Sequence, residues 1–88
     1  MKVGTIVTLE NKEMYYLADE TFQNNIKYFL ANQVDEDDEL LNEAYVFEEK
    51  EIDGKASLKK VEDMDTLNFV MAIFASNIVN DIDKLGDE

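Results

Sequence analysis

The hydrophobic period changes once along this chain, and the change falls at Asp63. Upstream, apolar side chains alternate with polar ones in short runs separated by Asn, Asp and Gly. Downstream, from Met64, they recur at three- and four-residue steps through Leu67, Met71, Phe74, Ile78, Ile82 and Leu85. A period of two puts successive side chains on opposite faces of a strand, whereas a period near 3.6 gathers them on one stripe of a helix. No proline interrupts either part. The expected fold is therefore α+β: a small antiparallel sheet of about five strands built from hairpins, compatible with a barrel, over residues 3–61, followed by one C-terminal helix packed on it over residues 63–85.

The strand runs follow from the punctuation. Val3 to Leu9 is β-branched and alternating, Glu10-Asn11-Lys12-Glu13 is a polar connection, and Met14 to Leu17 opens a second strand that can run on to Phe22. Gln23-Asn24-Asn25 is a turn in which Asn tolerates positive φ. Ile26 to Gln33 places Ile26, Tyr28 and Leu30 on one face and Phe29 with Ala31 on the other. Val34 to Asn42 is a loop carrying the densest charge, and Glu43 to Ile52 puts Tyr45 and Phe47 opposite Ala44 and Val46. Asp53-Gly54 is the dipeptide of a tight hairpin, returning through Lys55 to Val61. Asp63 or Asp65 caps the helix start, and Lys84 with Gly86 marks its end. Phe69, Val70, Ala72, Ile73 and Ala75 make the middle of this helix apolar nearly all round, so it is either wrapped by the sheet or shared with another subunit. With 88 residues the chain builds one core and one domain, 1–88.

This order of features resembles the YrzB-like family, small acidic proteins common in Firmicutes that have no assigned function. The likeness is carried by Ile6-Val7-Thr8-Leu9, by Phe22, by the acidic tract after the third strand, and by Ala44-Tyr45-Val46-Phe47. It continues through Asp53-Gly54 and Val61-Glu62-Asp63 ahead of a terminal helix, and so covers Thr5 to about Ile82. The helix around Phe69-Val70-Met71-Ala72-Ile73-Phe74 is more apolar than the family's, and the turn after position 10 lacks the family's glycine. The resemblance implies a bacterial or phage source and carries over no catalytic residue.

Composition excludes most chemistry. There is no His, no Cys and no Arg, so the usual general base, the thiol nucleophile and the guanidinium clamp are all missing. Gly4, Gly54 and Gly86 stand alone, without a phosphate-binding loop, and Ser57 and Ser76 sit in no nucleophile motif. Catalysis, cofactors and a metal centre are not expected. Asp35, Asp37 and Glu39 have the alternation that opens a calcium-binding loop, but Leu40 stands where its glycine belongs and Val46 where its bidentate glutamate belongs.

Twenty-one Asp and Glu against eight Lys give a net charge of −13. Such a surface repels phosphate backbones and anionic lipid headgroups, so neither nucleic acid nor membrane is a direct partner. The first residues lack the apolar run of a signal peptide, and Leu67–Ala75 is far too short to span a bilayer, so the expected location is the cytoplasm.

Two functions remain. In the first, a non-catalytic module docks a basic protein surface through Asp35, Glu36, Asp37, Asp38, Glu39, Glu43, Glu48, Glu49 and Glu51, with Tyr15, Tyr16 or Tyr45 as apolar anchor. Its most specific form is a DNA mimic that occupies a nucleic-acid-binding protein. In the second, a structural or regulatory homodimer forms through Phe69, Val70, Ile73 and Phe74 of the helix, and the charge only solvates.

Overall fold

The computed structural model describes the backbone of residues 1–37 and 39–86, with side chains described as far as 77 apart from those of 38 and 42. Five strands precede one helix: β1 (Ile6–Thr8), β2 (Met14–Gln23), β3 (Ile26–Val34), β4 (Leu40–Ile52), β5 (Lys55–Lys60) and α1 (Met64–Gly86). The strands form one antiparallel sheet in sequential order, β1 to β5, as the hairpin punctuation requires. The α+β architecture is the one expected from the period change.

Turn chemistry sets the registers. Asn24 and Asn25 both adopt positive φ, 54° and 66°, between the paired residues Gln23 and Ile26. Asp53 and Gly54 do the same, 51° and 79°, between Ile52 and Lys55. Positive φ at both central positions gives a turn whose twist matches that of the flanking strands. The β1–β2 connection is different. Its left-handed position is held by Lys12, φ 71°, whose N–H donates to the Leu9 carbonyl at 2.9 Å.

The sheet curls, and its two faces carry two clusters. Tyr15, Leu17, Phe29, Ala31 and Phe47 lie on one face, essentially solvent-free although no second layer among the described residues covers them, with Val7, Leu9, Tyr45 and Leu58 packed around. Burial without a covering layer means the sheet closes on itself, so this is the inner face of a half-barrel. On the outer face Tyr28 and Val46, joined by Ile26, Leu30 and Val61, meet Val70 and Phe74 of α1. The alternation in residues 26–31 and 44–47 thus sorts side chains as the sequence indicates.

The helix begins where its cap is. Asp63 accepts hydrogen bonds from the Thr66 backbone N–H at 2.9 Å and the Thr66 hydroxyl at 2.7 Å, satisfying a free donor of the first turn. These bonds hold the Asp63 carboxyl below its ordinary pKa.

Several expectations change. The first strand is shorter than residues 3–9: Gly4, at φ 89°, bends the chain ahead of Ile6, although its N–H still reaches the Leu17 carbonyl at 2.7 Å. The fourth strand starts at Leu40 rather than Glu43, so the loop contracts to 35–39. Gly86 closes the helix from within rather than following it. The sheet does not wrap α1, which rests on β2, β3 and β4 with one side only. Phe69 on the other side is half exposed. The side chains of Ile78, Ile82, Lys84 and Leu85 lie outside the described residues.

Candidate binding site

Strand register determines which carboxylates share a surface. The β1–β2 turn, the end of β3, the start of β4 and the 35–39 loop meet at one end of the half-barrel, because Met14 pairs with Val34 and Val34 with Leu40. Glu10, Glu13, Asp35, Glu36, Asp37, Glu39 and Glu43 therefore gather there. Asp35 folds the loop: its Oδ1 accepts the N–H groups of Asp37 at 2.9 Å and Glu39 at 3.0 Å, and its own N–H donates to the Glu39 carbonyl. Asp38 lies outside the described residues.

The remaining acids of the expected surface are not part of this end. Glu48 is on the outer face, paired with Lys50 at 3.2 Å. Glu49 and Glu51 lie toward the opposite end, beside Lys27 and Phe22. β4 disperses them because it is long and alternates: a run of charges in sequence becomes two faces and two ends in space. The residues named on the helix also divide. Val70 and Phe74 are core, 0% and 1% exposed, so they cannot be an interface. Phe69 is exposed and Ile73 is half-buried.

Of the three tyrosines offered as anchors, Tyr15 is buried and Tyr16 half-buried, away from the inner face. Only Tyr45 presents its ring at the inner rim. There it belongs to a small constellation. The Tyr45 hydroxyl donates to Glu43, and the Tyr15 hydroxyl to Glu13 Oε2 at 3.3 Å. Gln33 Nε2 donates to the same Glu13 oxygen at 3.1 Å. The two tyrosine rings meet edge to face, 5.6 Å between centroids and 86° between planes. Over the face of Tyr45 sits the ammonium of Lys60, 4.3 Å from the ring centroid.

These contacts set the titration of the phenols. The hydrogen bond to Glu43, then partial desolvation and the nearby carboxylates, push Tyr45 up to about 12. Burial raises Tyr15, aided by the charge of Glu13. Both phenols thus stay neutral donors at physiological pH.

A second cation lies at the other end of the inner face. Lys27 Nζ is 5.0 Å from the Phe29 centroid, 5.8 Å from that of Phe22, and paired with Glu20 at 2.8 Å. The bond to Glu20 raises the Lys27 pKa. Sequence reasoning missed Glu13, Gln33 and Lys60, which no local motif marks.

Between the sheet edges β1 and β5 runs an open groove of about 770 Å³, lined by Val7, Leu9, Glu10, Ile52, Lys55 and Leu58 among others. Among the described residues no group of three potential metal ligands converges, and no described helix is long and apolar enough to cross a membrane. Set against family models, curated proteins and solved structures, the chain matches none of them, so its site rests on its own geometry.

Proposed function

We propose that this protein is a non-catalytic module that docks a basic surface of a protein partner with the acidic end of its half-barrel. The observation that carries the reading is the convergence of the β1–β2 turn, the 35–39 loop and the start of β4, which sets seven carboxylates from Glu10 to Glu43 around one rim. Charges arranged on one end of a body attract an oppositely charged surface, steer its approach and suppress like-charged competitors. Tyr45 at that rim supplies the aromatic contact that charge alone lacks. The specific form is occupation of a nucleic-acid-binding protein in place of its polyanionic ligand.

The test compares bait proteins in a bacterial lysate. The wild-type chain should retain a basic protein that a variant with Asp35→Asn, Asp37→Asn and Glu43→Gln does not, with both baits equally folded. Rising salt should release it. Competition by duplex DNA would support the mimic form. Equal retention by both baits would remove the acidic end from the interaction.

A second reading has its own observation. Thr66 to Asn80 contains no charged residue, although a third of the chain is charged, and Phe69 stands half exposed within it. A homodimer through the outer side of α1 between Thr66 and Asn80 would bring two −13 bodies together over a stretch of helix that carries no carboxylate. A sizing column at increasing protein concentration decides it, with Phe69→Glu as the disrupting variant.

A further inference from the structure

A basic partner needs particular atoms to receive its charge. The two lysines of the inner face identify them by their difference. Lys27 is held twice, by aromatic rings and by Glu20 at 2.8 Å. Lys60 rests on the Tyr45 ring and takes part in none of the ion pairs among the described residues. It is exposed and sits at the last position of edge strand β5. Beneath it are one carboxylate bonded to each tyrosine and two rings held at right angles.

We propose that the Tyr45 face, flanked by Glu43 and Glu13, is a receptor for an arginine side chain of the partner, and that Lys60 is its internal occupant, displaced on binding. The chemistry of the arrangement is that of a cation site. A tyrosine face attracts an ammonium or guanidinium through its quadrupole. A hydroxyl that donates to a carboxylate leaves its ring more electron-rich, which strengthens that attraction. Gln33 pins Glu13 from the side, so the carboxylate does not turn away when the phenol moves. An incoming arginine can stack on the ring and bond Glu43 in a planar fork, a geometry no lysine reproduces. An arginine of the partner is thereby favoured over Lys60 without any change of fold.

This inference rests on the acidic-end reading, so the experiment separates the two. The probe is a fluorescent hexa-arginine peptide at moderate salt, titrated against the wild-type protein, Lys60→Gln and Lys59→Gln. The two variants have the same net charge, and Lys59 lies on the outer face opposite Glu48. Lys60→Gln should tighten peptide binding about two- to fivefold relative to Lys59→Gln, the factor an exposed cation–ring contact is worth. Adding Tyr45→Leu to Lys60→Gln should abolish that gain while thermal melts show the chain still folded. In the wild-type protein the Lys60 side-chain methylene protons, shifted by the Tyr45 ring, should move toward ordinary values as peptide is added. Equal binding by the two lysine variants overturns the receptor and leaves the acidic end standing. No binding by any of them removes both.

Discussion

Tyr15 and Phe47 meet edge to face, 4.8 Å between centroids, although β3 lies between their strands. The residue that permits this is Ala31, fully buried between Leu17 and Tyr45 in the register. A small side chain at the centre of the inner face lets rings from both flanks lean together and draws β2 and β4 into a curl. Ala31→Leu should overpack this point and destabilise by about 1–3 kcal/mol. Phe47→Ala should cost about 3–5 kcal/mol through the cavity it leaves. Urea unfolding reads both, as a lower midpoint at unchanged slope.

Two turns make opposite predictions. Gly54 sits at φ 79° with open space where a Cβ would be, so Gly54→Ala meets no clash and only the backbone strain remains. That strain is about 1–2 kcal/mol. Lys12 already carries it at φ 71°. Lys12→Gly should therefore stabilise the protein by up to ~1 kcal/mol, whereas Lys12→Gln, which loses the charge and keeps the strain, should not. The pair of melts checks the turn, since a gain in both Lys12 variants would assign the effect to charge.

Much of this architecture is legible in the residues themselves. Asn24-Asn25 and Asp53-Gly54 mark their hairpins, and Phe29, Ala31, Tyr45 and Phe47 share a face because alternation carries parity along a strand. What is hidden are the irregularities. The register shift between Leu17 and Asp19 moves Glu20 and Phe22 onto the inner face with Tyr15 and Leu17, reversing parity within one strand. No glycine or proline announces it, and a lysine at the left-handed position of the first turn announces nothing either. The candidate site is hidden for a related reason. Lys60 reaches Tyr45 only through the β4–β5 register, which pairs it with Phe47. The acidic tract is visible at once, but the separation of Glu48, Glu49 and Glu51 from it depends on the length and alternation of β4.

Neighbouring helix positions should separate fold from association. Val70 is wholly buried against Tyr28 and Val46, and Phe69 beside it is half exposed. Val70→Asp would bury an unpaired charge and should abolish cooperative folding at ordinary temperature. Phe69→Glu should leave far-UV circular dichroism and the melting curve close to wild type. If the outer side of α1 joins two copies, that same variant runs as a monomer where the wild type does not.

The phenols make folding stability fall at high pH in a defined window. Tyr45 is pushed up to about 12 by its bond to Glu43, and Tyr15 and Tyr28 are raised mainly by burial, from an ordinary value of 10.0. A group whose pKa is higher in the folded chain binds its proton more tightly there. Its contribution is complete below pH 10 and is lost as pH rises toward 12. Lys27, raised by Glu20, adds in the same direction. Asp63 acts at the other limb: its lowered carboxyl stabilises the helix start above the ordinary value of 3.8 and stops doing so as pH falls below it. Tyrosinate absorbance against pH should show Tyr45 ionising last, and Glu43→Gln should bring that step down toward the ordinary value. The Lys60 ammonium over the Tyr45 ring does not prevent this outcome, since the bond to Glu43 is the largest cause of the shift. A late phenol that persists in Glu43→Gln would mean that burial, rather than the carboxylate, holds its proton.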